Sequence, residues 1–433
     1  MDQITPPQRR FYYGWVIVGL SMLSMTWWFG IRTSFSVFFV ALIDQFHWSR
    51  AETAGAYSIA MLAYMIMAPV IGILVDRIGP RKVILPGIVL TGLGLLLCAQ
   101  IETLIQFYLF FGVIVGAGIT CLSIAPYTVI LSHWFEKKRG IANGFAGVGL
   151  GLGTLLLVPL AQYLISLWGW RSAFLILSLL ILIIPLPLNG LFLRHRPQEM
   201  GLLPDGNLPH DDIQKKPPKK EDTSLNPSSA QEVWTLGKIV KSAQFWYVIL
   251  FPSFATFGTY IIIVHHVRYL VDLGVDKFWA ASLFAIVGAV SAGFKPIWGC
   301  LSDRAGRELT FTLGEICFCL GIISLILFQY IPSRALLYLF AGFYGPGWGV
   351  TTPIIMSVAG DIYKGKRFGL IYGIVEGVIG LGGAAGAWVA GLIFDRTNSY
   401  LWAFVLVILL NLISVLLVWL SAPRKFRRPC LPI

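Results

Sequence analysis

Gly72-Ile-Leu-Val-Asp76-Arg77-Ile-Gly79-Pro-Arg81-Lys82 stands between two long apolar runs. Gly299-Cys-Leu-Ser-Asp303-Arg304-Ala-Gly306-Arg307-Glu308 stands in the same setting 227 residues later. Each closes one apolar run and opens the next. The glycines let the backbone turn tightly, the Asp sits where a helix ends, and the basic residues face water beside an apolar phase. One Asp-Arg-x-Gly says little. Two, at matching places, imply a chain built from two related halves.

Composition names the apolar phase. Of 433 residues, 57% are apolar and 12% charged, with a mean hydropathy of +0.76. A soluble core cannot absorb that much apolar surface, and a bilayer can. The net charge of +12 raises the question of nucleic acid. It lies in short clusters between apolar runs, as in loops on the inner membrane face, so no nucleic-acid partner is expected. The cysteines Cys98, Cys121, Cys300, Cys317, Cys319 and Cys430 show no metal spacing and no disulfide framework. Residues 1–10 lack the apolar core and cleavage site of a signal peptide, so the first apolar run is expected to stay.

Twelve runs are long enough to cross a bilayer as helices. The first covers 14–43, the fourth 104–133, the fifth and sixth 140–168 and 171–193, and the twelfth 400–422. The expected fold is an all-α membrane protein, with twelve transmembrane helices in two pseudo-symmetric six-helix bundles. Residues 1–193 form the first bundle. Residues 194–243 form a polar, proline-rich cytoplasmic linker without fixed structure, apart from a short amphipathic helix near 231–242. Residues 244–433 form the second bundle and a cytoplasmic tail. Placing both termini inside puts 25 of the 33 Lys and Arg on the cytoplasmic side, which sets the topology. Gly140 and Gly144 match Gly369 and Gly373 at an offset of 229, and Ala173-Phe174 matches Ala403-Phe404 at 230. A near-constant offset points to homologous halves around a central cavity, rocking against each other.

The paired loops resemble the signature of the major facilitator superfamily. The stretch Trp134-Phe-Glu-Lys137-Lys138-Arg139-Gly-Ile-Ala142-Asn143-Gly144 closely resembles a motif of monocarboxylate transporters, in which an aromatic pair and a basic cluster precede a small-residue helix. Tyr13-Gly14-Trp15 is similar to that branch and to the related oxalate/formate exchangers. The resemblance implies a secondary transporter. Its conformational loop motifs would be Gly72, Asp76, Arg77, Gly79 and Arg81, and Gly299, Asp303, Arg304, Gly306 and Arg307. The small residues Gly140, Gly144, Ala146, Gly149, Gly151 and Gly153, and the run 380–386, are expected to let helices approach closely.

Charges inside the apolar runs carry more information, because charge is costly in lipid and marks pathways. Arg32 lies 12 residues before Asp44, about 18 Å from the outer helix end. That depth favours a cavity cation over a snorkelling or purely structural one. Lys295 precedes Asp303 by eight residues, about 12 Å above the inner loop. Its position resembles that of the substrate-binding arginine in the monocarboxylate and oxalate branches, although a lysine lacks the bidentate fork. Glu376 reaches a similar depth and could pair with Lys295, as a proton-coupling acid or as a static helix lock. His265 and His266 are adjacent and point in different directions. At most one faces the cavity as a proton carrier, and an interfacial role is the plainer reading. Tyr127, Asn143, Tyr344 and Tyr372, with Tyr64 and Trp348, are candidate cavity walls for a carboxylate.

Two positions depart from the branch pattern. Ser291 stands where monocarboxylate transporters carry an acid one turn before the arginine. Ile379 stands where oxalate/formate exchangers carry a lysine. Buried positive charge still exceeds buried negative charge, which suits an anion. The leading expectation is a secondary transporter of a small organic anion, a monocarboxylate, by proton symport or anion exchange. It would act as a monomer in the plasma (inner) membrane, with protons or a counter-anion as partner. The alternatives are a proton-coupled exporter of a hydrophobic or cationic compound recognised by Glu376, and a transporter-like sensor. No phosphate-binding glycine loop or nucleophile motif suggests an enzyme, and no cofactor or metal is expected.

Overall fold

The computed structural model describes residues 12–136, 138–206, 241–362 and 368–423, apart from the side chains at 76, 125, 139, 360, 368–373 and 376. Within a bilayer, backbone N–H and C=O groups can be satisfied only internally, so each apolar run becomes a helix. In the first half these are α1 (Gly14–Phe46), α2 (Arg50–Ile78) and α3 (Pro80–Cys98). The fourth crossing is segmented into α4 (Leu104–Phe107), a π-helical stretch (Tyr108–Val115), α5 (Gly116–Thr120) and α6 (Ile124–Trp134). One helix was expected there. Pro126 has no N–H to give, and the chain restarts at Ser123 in extended conformation, ψ 176°. α7 (Arg139–Ile183) makes the fifth crossing and turns into the sixth at Gly169, where φ is 77°, a conformation that suits glycine. α8 (Pro185–Phe192) completes the sixth.

The second half comprises α9 (Ala243–Asp272), α10 (Lys277–Ala305), α11 (Arg307–Tyr330), α12 (Arg334–Ile362), α13 (Phe368–Thr397) and α14 (Leu401–Ser421). Among the described residues, nine helical runs are long and apolar enough to cross a membrane, and one of them, Gly140–Phe192, holds two crossings. The segmented fourth crossing and α12, with Pro346 and Pro353 inside it, complete twelve. Polar caps hold the ends: Ser49 and Glu52 form a capping box on α2, and Asp276 accepts from the Trp279 N–H on α10.

Small residues set the helix contacts, as packing in lipid requires. A Cβ at Gly149 or Gly153 would strike the backbone of Met22 or Thr26, so α7 lies directly on α1. Gly382 and Gly386 place α13 on α9 in the same way, against Ser253 and Phe257. Gly140, Gly144 and Gly147 do otherwise. Nothing lies within 4 Å of a Cβ built at any of them, so in this conformation they face open space rather than a neighbouring helix.

Candidate functional site: a cation-lined cleft between the halves

The halves meet along α1 with α9, α2 with α13, and α7 with α10. Among the described residues, the hydrogen bonds and ion pairs that join them lie at Arg32 or between Arg32 and the Asp44 end. At that end Arg268 pairs with both Asp44 and Asp272, and Asp272 reaches Arg50 at 2.5 Å. Lys277 pairs with Asp44 at 2.7 Å. The Asp395 carboxylate accepts from the N–H groups of Arg50 and Ala51 at 3.0 and 2.8 Å, capping the start of α2 from the other half. Toward the signature loops, Gly72, Gly293 and Gly299 have nothing within 4 Å of an added Cβ. The interface is sealed at one end and parts toward the other.

Arg32 sits at the apex of this cleft and is 4% exposed. It donates to the Tyr260 hydroxyl across the interface and to Met61 Sδ at 3.1 Å. Its guanidinium carbon lies 5.1 Å from the ring centre of Trp28, 5.5 Å from those of Tyr64 and Tyr260, and 5.7 Å from that of Phe29. Rings at that range offer cation–π attraction but no negative charge. Arg32 Nε is buried with no hydrogen-bond partner, and no carboxylate pairs with the residue among the described residues. Arg32 is therefore a buried guanidinium with a free donor and, among the described residues, no counter-ion.

Lys295 is half-buried and has no hydrogen-bond or ion-pair partner among the described residues. Packing gives its level. Gly153 abuts Thr26 and Gly30 of α1, Gly151 abuts Ala292 of α10, and Lys295 lies three residues beyond Ala292 toward the open end. It therefore stands about 15 Å along the axis from Arg32. The two cations are thus arranged in series along the cleft, with Lys295 nearer the open end. The side chains of Tyr372 and Glu376 lie outside the described residues, and with them the proposed Lys295–Glu376 pair.

Other candidates occupy packed positions instead of cavity walls. Tyr127 is fully buried within the first half, its hydroxyl 3.3 Å from Asn189 Oδ1. Tyr344 is fully buried beside Phe318 in the second half. His265 is held by the Tyr400 hydroxyl at 3.0 Å and the Ala387 carbonyl at 2.8 Å, and His266 lies 2.6 Å from the Ile262 carbonyl. Both imidazoles are 0% exposed, so neither faces the cleft nor the membrane interface. Both ring nitrogens of His265 are thus satisfied within the helices, whereas His266 Nε2 is buried without a hydrogen-bond partner among the described residues. Asn143 is partly exposed at the open end. Trp348, by contrast, reaches the cleft, with its ring centre 5.7 Å from that of Phe29.

A family model described as Major Facilitator Superfamily matches residues 15–359 and 270–432. The chain belongs to the Major Facilitator Superfamily. It is similar to Monocarboxylate transporter 13 of Rattus norvegicus, 28% identical over 91% of this chain and 85% of the relative. Monocarboxylate transporter 2 of Homo sapiens is 26% identical over 90% and 81%. Two solved structures share the fold at a TM-score of 0.71. One is a bacterial homolog of the human lysosomal transporter Spinster, 17% identical and covering 98% of this chain and all of that one. The other is a D-xylose-proton symporter, 15% identical and covering 96% and 98%. The chain is thus a multi-pass membrane transporter that resembles the monocarboxylate branch, not an enzyme.

In this facilitator the signature glycines Gly79 and Gly306 carry the turns, at φ 85° and 100°. Gly72 and Gly299 are helical. Arg307 holds Asp303 and Ser302 at 2.6 Å each and Asp361 at 3.0 Å, tying the loop to α12. Arg81 donates to the Gly190 carbonyl and ties its loop to α8. Arg77 and Arg304 are exposed, and the Asp76 side chain lies outside the described residues. His195 packs beside Gly79 and its imidazole is held below its ordinary range, by burial first and then by His133.

Several site residues have weak sequence signals. Trp28 and Phe29 precede Arg32 by four and three residues, so helical spacing alone could have placed them beside it. Tyr260 has no local signal, and in the Asp44–Arg268–Asp272–Arg50 network only Arg268–Asp272, four residues apart on α9, has one, since the other partners lie in opposite halves. Glu315, 2% exposed in α11, belongs to no motif.

Proposed function

We propose that this transporter moves a small organic anion, a monocarboxylate, by alternating access, coupled to proton symport or anion exchange. The observation that carries the reading is Arg32: a buried guanidinium between the halves, caged by rings and facing no carboxylate among the described residues. An incoming carboxylate would take up the free Nε donor and neutralise the charge, lowering the cost of closing the cleft around it. Lys295, nearer the open end, would attract the anion first and pass it inward. The aromatic wall of Trp28, Phe29, Tyr64 and Trp348 would accept the carbon chain. The relatives named monocarboxylate transporters, at 26–28% identity, support the same substrate class. The distribution of Lys and Arg supports a cytoplasmic open end and cytoplasmic termini; on this reading the transporter works as a monomer in the plasma membrane.

Thermal stabilisation tests this directly, because a ligand that binds only the folded state raises its stability by mass action. Short carboxylates, amines and sugars are screened on purified protein from about pH 5 to about pH 8. Stabilisation by a carboxylate, lost in Arg32→Gln and weakened in Lys295→Gln, is the expected result. Equal stabilisation of both variants and the parent would rule out this site. A response to lipophilic cations alone would rule out the anion.

A further inference from the structure

Glu315 lies eight residues into α11, about 12 Å into the apolar layer. Its Oε2 is buried with no hydrogen-bond partner among the described residues. Its surroundings hold little that could balance a charge. On its own helix Cys319 is one turn away, and α12 presents Tyr344. α14 has no charged residue and presents Asn411, which sits beside Cys319 and whose Oδ1 and Nδ2 are both buried without partners. α10 carries Lys295, Cys300, Asp303 and Arg304, and none of them pairs with Glu315 among the described residues. Glu308, two turns earlier on α11, is also an acid and offers no compensation.

An ionised carboxylate in such a place costs several kcal/mol. A carboxylic acid does not, and Asn411 of α14, which sits beside Cys319, offers a neutral donor and acceptor on the facing helix without bonding to Glu315 in this conformation. We infer that Glu315 is a proton-binding site of this transporter, holding its proton as a carboxylic acid in the layer between α11 and α14. The proton arrives from water and leaves to water, and no other bond changes. The site is separate from the cleft but is connected to it through α12. Tyr344 packs on Phe318 of α11 at 4.7 Å, and Trp348, one turn on, packs on Phe29 beside Arg32 at 5.7 Å. Proton occupancy between α11 and α14 can therefore bias the helix that walls the anion cleft. The link to transport rests on the anion reading above; the proton site does not.

Two measurements test the two parts separately. Infrared difference spectra of purified protein, from about pH 5 to about pH 9, should contain a protonated-carboxyl band that titrates and is missing in Glu315→Gln. Asn411→Leu should shift its midpoint. A band in which Glu315→Gln changes nothing, or one that never titrates, would overturn the proton site. In liposomes loaded with L-lactate, Glu315→Gln should keep counterflow at equal pH while accumulation driven by a pH gradient falls about tenfold. Undiminished gradient-driven accumulation would overturn the coupling. If wild-type protein shows no L-lactate counterflow while the infrared band titrates, the anion reading fails for this substrate and the proton site stands.

Discussion

Arg32 combines two properties that rarely coincide in a membrane helix, burial and, among the described residues, a missing counter-charge. The rings around it lessen the penalty but cannot remove it, because cation–π attraction is worth only about 0.5–2 kcal/mol. The balance is left for a ligand. Its planar fork should matter as well as its charge. Arg32→Lys is expected to lower carboxylate affinity by about tenfold, since an ammonium makes one contact where a guanidinium makes two. Tyr260→Phe removes one neutral acceptor of the Arg32 donor. It should cost about 1 kcal/mol, roughly a fivefold change in affinity. Binding isotherms of the two variants check the order: an equal loss in both would mean that Arg32 acts through Tyr260 rather than on the substrate.

The helices divide into those pressed together and those left apart, and glycine marks both. Gly153 on α7 lies against the backbone of Thr26 and Gly30, which cannot move aside as a flexible side chain would. Gly153→Val should therefore destabilise the protein by about 1–3 kcal/mol. Gly144→Val, nine residues away on the same helix and facing open space, should change the thermal midpoint little, within about 0.5 kcal/mol. Thermal unfolding in one detergent compares the two. A larger effect at Gly144 would show that the packing described for α7 is not the one that dominates in solution. Both glycines belong to one motif, so sequence alone gave no reason to separate them.

Taken whole, the molecule is closed at one end by charge. Asp44, Arg50, Arg268, Asp272 and Asp395 come from four helices in two halves, and Arg50 also lies 3.3 Å from the ring centre of Phe394. Asp44, Arg268 and Asp272 are partly exposed, so their pairs contribute modestly, while Arg50 is buried. Asp395 is placed differently, on two free N–H groups at a helix start, where a carboxylate is favoured. Asp395→Asn should loosen this seal by about 1 kcal/mol. Amide exchange across 44–52 and 268–277 should then rise about fivefold, while exchange in the signature loops stays as it was. Unchanged exchange at the sealed end would mean that apolar contacts, such as Gly391 against Ala51, close the molecule without help from charge.

What could be read from residues in order was the membrane class, the twelve crossings, the repeat and the depth of Arg32 and Lys295. A bilayer imposes those features on the chain directly. It demands apolar runs of a certain length, punishes each charge within them, and sorts Lys and Arg between its faces. Facing is another matter. In water a helix shows its buried side by a polar opposite side, but in lipid both sides are apolar and the stripe disappears. Tyr127 and Tyr344 looked like cavity residues for that reason, and His265 and His266 like interfacial ones of which at most one faced the cavity, yet all four are buried among packed helices. Tyr260 and Arg32 are 228 residues apart, and Glu315 and Asn411 sit on separate helices. Only the tertiary structure, by bringing distant helices side by side, decided which charge faces a ring, which faces an acid and which faces nothing.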